Sequence, residues 1–111
     1  MSLVFKILTE FQWEAAREAG VFKGSPADLA DAYIHLSGPE QVAETARRHF
    51  SGQSGLWLLS FETERLGGTL KWEPSRGGEL FPHLYGPLSL DAMVEALPLA
   101  LDPDGVPLAA R

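Results

Sequence analysis

Leu3-Val4-Phe5-Lys6-Ile7-Leu8-Thr9-Glu10-Phe11-Gln12-Trp13 is the stretch that decides how this chain is built. Its first six residues are apolar except for Lys6, the pattern of a strand buried on at least one face. Thr9 stands three residues before Gln12, the spacing of a capping box, in which a hydroxyl accepts from the N3 amide while the N3 side chain reaches back. Leu8 and Trp13 occupy the positions of a hydrophobic staple, which fixes the angle at which chain enters helix. Phe11, Ala15, Ala16 and Ala19 supply the apolar stripe, and Gly20 suits the left-handed position that ends a helix.

Working outward, Val21 to Ala30 contains Gly24, Pro26 and Asp28 and reads as loop, with one helical turn from Pro26. Ala32 to Leu36 is a short strand. Ser37 and Glu40 have capping-box spacing and Pro39 suits a first turn, so a second helix is predicted through Val42, Ala43, Ala46 and Phe50 to Ser51-Gly52. Leu56 to Glu62 reads as a buried strand and Thr69 to Glu73 as another. Pro74-Ser75-Arg76-Gly77-Gly78 is a mobile loop by composition, and Leu80 to Tyr85 is extended, since Pro82 biases Phe81 away from helix. Ser89-Leu90-Asp91 makes a turn. Pro98 argues for a strand rather than a helix over Met93 to Leu101, paired through Asp102-Pro103-Asp104-Gly105 with Val106 to Leu108. Two main helices and about six strands, with no internal repeat and no linker, predict one α+β domain over residues 1–111.

The composition sets limits. The chain has 111 residues, 45% hydrophobic and 22% charged, which is ordinary globular usage. It has no cysteine, hence no disulfide and no thiolate metal site, in keeping with a reducing compartment. Met1-Ser2-Leu3-Val4 has no basic leader pattern, and the best apolar run, Leu56 to Phe61, falls far short of the ~18 residues of a membrane span. A cytoplasmic protein without a membrane partner is the expectation. The net charge of −6 and nine scattered basic residues argue against nucleic acid, because phosphate backbones are bound by clustered Lys and Arg. Only Arg47-Arg48 are adjacent. A basic pocket for one small anion is compatible with these numbers; a long basic track is not.

Two segments concentrate residues capable of chemistry. In Tyr33-Ile34-His35-Leu36-Ser37, alternation puts Tyr33, His35 and Ser37 on one face and Ile34 and Leu36 on the other. Ser37 falls where free amides of a helix start favour an anion; the plainer alternative is that it only caps the helix, with His35 a hydrogen-bonded core residue. In Phe81-Pro82-His83-Leu84-Tyr85-Gly86, His83 and Tyr85 align on one face between residues that stiffen the backbone, or form a rigid edge strand with surface aromatics. His35 and His83 can cooperate only if their strands are neighbours. His49 is a third histidine, beside Arg47 and Arg48, but the three lack the spacing of metal ligands, so no metal site is expected. Glu73 ends a strand beside the Gly-rich loop, where a carboxylate could orient a ribose hydroxyl or stabilise a developing cation; most such glutamates simply face solvent. Neither Gly67-Gly68 nor Gly77-Gly78 belongs to a dinucleotide fingerprint or P-loop, and no nucleophile elbow is present.

Trp13 and Ala16 in the first helix, Tyr33-Ile34-His35-Leu36-Ser37, Gln41, Leu56-Trp57-Leu58-Leu59, Trp72-Glu73 and Phe81-Pro82-His83-Leu84-Tyr85-Gly86-Pro87-Leu88 together resemble domain-of-unknown-function family 952, small and mostly bacterial proteins. The likeness runs through nearly the whole chain. It implies a fold similar to the ADP-ribosyltransferases: a split, strongly bent mixed sheet whose cleft holds NAD. By that resemblance His35, Glu73 and Tyr85 are the catalytic candidates, with His35 on a ribose, Tyr85 stacked on nicotinamide and either Glu73 or Glu79 as the supporting carboxylate. His35, Ser37, His83, Tyr85 and Arg76 are the cofactor-binding candidates. The chemistry so implied is cleavage of the nicotinamide–ribose bond, but a shared fold does not by itself carry a shared reaction. A non-catalytic module that binds a nucleotide or other small metabolite in the same cleft is the alternative. A two-histidine phosphoesterase is a weaker third, since His35-Leu36-Ser37 has the required form but His83-Leu84-Tyr85 lacks the hydroxyl residue.

Overall fold

The computed structural model describes residues 2–109. Strand β1 (Leu3–Thr9) passes directly into helix α1 (Glu10–Ala19), followed by β2 (Val21–Phe22), α2 (Pro26–Asp31), β3 (Ile34–His35), α3 (Val42–Phe50), β4 (Leu56–Glu62), α4 (Thr63–Leu66), β5 (Leu70–Pro74), β6 (Leu80–Leu84), β7 (Leu88–Ser89) and β8 (Met93–Pro98). The α+β class is as expected. The mixed sheet resolves into three sheets of order β1-β4-β8, β2-β7 and β3-β6-β5, each pairing antiparallel. No helix among the described residues is long and apolar enough to cross a membrane.

The near-continuous apolar character of β1 and β4 follows from burial on both faces. Val4 and Leu8 pack with Trp13 and Ala16 of α1 on one face, while Phe5 and Ile7 pack with Val42 and Ala46 of α3 on the other. The split between the two three-stranded sheets is closed at one point. The amide of Phe5 donates to the Ser37 carbonyl at 2.8 Å, and the Ser37 amide donates back to Phe5 at 3.0 Å. This bridge brings β3 and β6 beside β1 and so shapes the cleft described below.

The Thr9–Gln12 capping box forms with both of its bonds, and Gly20 ends α1 at φ 77°. The apolar stripe is narrower than predicted: Trp13 and Ala16 are buried, Ala15 and Ala19 are exposed, and Phe11 is 83% exposed. The staple aims Trp13 inward, and Phe11, two residues away, points about 200° around the helix from it.

Three other expectations are corrected. The helical turn expected from Pro26 extends to the six-residue α2, capped by a box between Ser25 and Asp28, and Ala32 is its left-handed C-cap rather than a strand residue. Ser37 does not cap α3, which begins at Val42; its backbone is spent on Phe5, and Gln41 Oε1 accepts the Gly38 amide instead. At the C-terminal end the expected hairpin across Asp102–Gly105 forms over a shorter span than predicted: Leu101 bridges Pro107, with the Leu108 amide donating to Ala100 and the Asp102 amide to Val106, while β8 itself stops at Pro98 and pairs with β4. The loop after Pro74 contains a tight turn over Arg76–Gly78, with Gly77 at φ 66°.

Thr9→Ala removes the side-chain acceptor of the Gln12 amide and is expected to cost ~1 kcal/mol in urea unfolding. Phe11→Ser, on the same helix, is expected to change stability by less than ~0.5 kcal/mol, because the ring it removes is in water.

Candidate functional site

The sheet β3-β6-β5 carries the site. His35 stands directly opposite His83, which stands opposite Lys71, and Glu73 stands opposite Phe81. Alternation then presents Tyr33, His35, Phe81, His83, Tyr85, Lys71 and Glu73 on one face. Ile34, Leu36 and Leu84 point the other way, into the core. The two histidine-bearing segments are therefore neighbours, with ring centroids 5.9 Å apart. Tyr33 stacks on His83 at 4.0 Å and lies 4.8 Å from His35 and 5.3 Å from Tyr85, centroid to centroid.

Glu73 joins this group. Its Oε1 accepts from the Tyr85 hydroxyl at 2.7 Å and from His83 Nδ1 at 2.8 Å. An ionised carboxylate only accepts, so Nδ1 of the 2% exposed His83 carries the proton. The bond from Tyr85, then that from His83, holds the Glu73 carboxyl below its ordinary range. The same bond to Glu73 raises the Tyr85 hydroxyl, and burial raises that of Tyr33, with the Asp31 and Glu73 charges adding to it.

His35 is held from α2. Its Nδ1 lies 2.6 Å from Asp28 Oδ1 and its Nε2 2.9 Å from Asp31 Oδ2. Asp28 is itself buried and also accepts from the amides of Ser25 and His35 and from Lys6 Nζ. Lys6 Nζ donates further to the His35 carbonyl at 2.8 Å. Burial alone would raise the Asp28 carboxyl, but the Lys6 charge and the Ser25 and His35 donors leave it below the ordinary aspartate value. Burial pushes the Lys6 ammonium down, against the pull of Asp28.

Between this sheet face, β1, α2 and α3 lies a cleft of about 320 Å³. His35, Ser37, Arg76 and His83 all line it, so four of the predicted residues meet there. Glu73 and Tyr85 share the sheet face but do not line the cleft; they reach it through His83. The sequence reading missed Asp28, Thr45 and Lys6 as site residues, and gave Tyr33 a place on the His35 face but no role. The Ser25-Pro26-Ala27-Asp28 spacing with proline at N1 was a legible helix start and would have placed Asp28 in the first turn of a helix, as its capping-box partner. His49, grouped by sequence with Arg47 and Arg48, lies with Val42 and Thr45 on the cleft side, while those arginines pair with Glu44. Among the described residues no group of three or more His, Asp or Glu side chains is arranged to hold a metal ion.

The family model described as "Protein of unknown function (DUF952)" matches residues 7–96. Among solved structures the chain is similar to protein CC0527 from Caulobacter crescentus. Its X-ray structure is 53% identical, with 96% of this chain and 93% of that one covered at a TM-score of 0.93. The X-ray structure of a double mutant of CC0527 is 52% identical over the same shares at 0.92. The solution NMR structure is 53% identical over 97% and 93% at 0.87. No curated protein matches the chain.

Asp28→Ala strands a buried ammonium and is expected to cost ~3–5 kcal/mol, with part of the loss recovered in Lys6→Met/Asp28→Ala, where no buried lysine charge remains. The pH dependence has a fixed sign. A carboxyl whose folded pKa is depressed contributes stability that is complete above its unfolded value and lost as pH falls through the folded one. Between about pH 5 and pH 2 the urea midpoint of the wild type should therefore fall more steeply than that of Asp28→Asn, and parallel curves would show that Asp28 is not the linked group.

Proposed function

The chain belongs to the DUF952 family, and from that premise we propose that it binds a nucleotide-class small molecule in the cleft between β3, β6 and α3, with NAD as the first candidate. One observation carries this reading. In a chain of net charge −6 the cleft is lined by Lys6, His35, His49, Arg76 and His83, and of these Arg76 and His49 have no carboxylate partner among the described residues. Such a local excess of donors fits one anionic ligand and is too small for a polymer. His35, Ser37, His83 and Arg76 are the contacts in this proposal, and the exposed face of Tyr85, beside Tyr33, offers a surface on which a base can stack. A cytoplasmic setting goes with the reading, since the cysteine-free chain suits a reducing compartment.

A second reading, ADP-ribosyltransferase-like transfer, is favoured by Glu73. Both of its hydrogen bonds fall on Oε1, and Oε2 has no partner among the described residues. An ionised carboxylate with one open oxygen at the rim can accept from a ribose hydroxyl and stabilise the positive charge that develops when the nicotinamide–ribose bond breaks. The split between the two three-stranded sheets, bridged among the described residues at Phe5 and Ser37, supports the matching fold reading.

Titration with NAD and with AMP, followed by the imidazole resonances of His35 and His83, tests binding. Saturable shifts at both histidines are expected, and unchanged spectra at millimolar ligand would overturn the proposal. Glu73→Gln separates the two readings: for a transferase, nicotinamide release falls about 100-fold or more while binding persists, the scale of losing one electrostatic stabiliser. Absence of release in the wild type leaves the binding module alone standing.

A further inference from the structure

We infer that the Arg76 side of the cleft is a phosphate subsite, and that its ligand carries a phosphate group on a pentose-sized sugar. This deepens the nucleotide reading above and rests on it. The guanidinium of Arg76 lies over the Phe81 ring, 4.7 Å from its centroid, which fixes the plane of its donors. Its one polar contact is long, Nη2 donating to Thr45 Oγ1 at 3.5 Å, and no carboxylate pairs with it among the described residues. Its charge and nearly all of its hydrogen-bonding capacity are unspent. The other cation of the cleft wall, Lys6, is consumed by Asp28 and the His35 carbonyl.

The groups beside Arg76 are hydroxyls. Thr45 Oγ1 and Ser37 Oγ are 2.9 Å apart, and since either can donate to the other, one hydroxyl proton is left over for a ligand. His49 lines the same wall from α3. A planar guanidinium fork, a spare hydroxyl proton and an imidazole, reaching in from different elements, match a tetrahedral phosphate group better than a planar carboxylate. Size and spacing then limit the rest of the ligand. A volume of about 320 Å³ stands at the lower end of the ~300–1,000 Å³ typical of ligand pockets, room for a sugar phosphate or mononucleotide and not for a whole dinucleotide. Ser37 and His35 are two extended residues apart, about 7 Å, which is the reach of one pentose from its phosphate to its far hydroxyls. The second half of a dinucleotide would lie outside the cleft, over Tyr33 and Tyr85.

Calorimetry and amide NMR with ribose 5-phosphate, inorganic phosphate, ribose and NAD test the assignment. Ribose 5-phosphate is expected to shift the amides of Ser37, Thr45 and Arg76, and ribose to leave them unmoved. Arg76→Ala should weaken ribose 5-phosphate about tenfold or more, the scale of losing a charge-assisted pair, and Arg76→Lys, which keeps the charge without the fork, should weaken it less. Melting temperatures of both variants confirm that the fold is kept. Failure of ribose 5-phosphate to bind the wild type, or equal binding by Arg76→Ala, overturns the subsite. Inorganic phosphate binding as tightly as the ester overturns the pentose assignment. If NAD binds the wild type and Arg76→Ala alike, the subsite falls and the nucleotide reading stands; if NAD leaves His35 and His83 untouched as well, both fall.

Discussion

Asp28 is a carboxylate withdrawn from water and paired with a lysine that is nearly as buried, and three elements of the fold are arranged around it. It accepts from Ser25 at the start of α2, from Lys6 on β1, and from both the backbone and the ring of His35 on β3. A buried ion pair is poor evidence of stability, since burying its charges costs about as much as their attraction returns. What the pair does supply is register. The Lys6 ammonium reaches Asp28 and the His35 carbonyl together only if β1, α2 and β3 sit in this one arrangement. A short β3 of two residues, which could slip by one residue and turn Ile34 to solvent, is pinned by that constraint.

With β3 pinned, the Phe5–Ser37 bridge joins the sheet β3-β6-β5 to β1, and the cleft lies between that sheet's face, β1, α2 and α3. The same hub partitions the cleft electrostatically. Asp28 and Asp31 neutralise Lys6 and engage both nitrogens of His35, so little positive charge is left on that side. Arg76, across the cleft wall, keeps its own. A ligand entering therefore meets hydrogen-bonding groups whose orientation is already fixed on one side and an uncompensated cation on the other.

How much of this could be read from the sequence depended on whether the signal was local. Thr9, Gln12 and Gly20 name their own roles within one helix, and β4 is visible over Leu56–Glu62 because an unbroken apolar run has few other homes. The faces of β3 and β6 followed from alternation alone. Phe11 misled because composition shows that a residue is apolar, not which way the staple turns the helix. Ser37 misled because a capping box needs a free backbone, and its backbone is committed to Phe5, 32 positions earlier in the chain. Asp28 was passed over because an aspartate in a predicted loop is ordinarily solvated; only the approach of Lys6 from β1 makes it a buried hub. Convergence of Glu73, His83 and Tyr85 was anticipated as a likeness of position, and the bonds that join them depend on the β5–β6 register, which no local pattern reveals.

The character of the rim bears on which chemistry suits it. The pair His35 and His83 is close enough to address one phosphate, yet the roles of a two-histidine phosphoesterase are not filled: Ser37 is bonded to Thr45, Tyr85 stands where the second hydroxyl residue belongs and donates to Glu73, and His83 is buried under Tyr33. Phosphoryl transfer also concentrates negative charge at the reacting centre, which a carboxylate held ionised beside His83 opposes. A centre that develops positive charge is favoured by that same carboxylate. Within the proposed reading, the electrostatics of the rim suit breaking a bond to a sugar carbon rather than one to phosphorus, and a phosphate held at Arg76 would serve as a handle rather than as the reacting group.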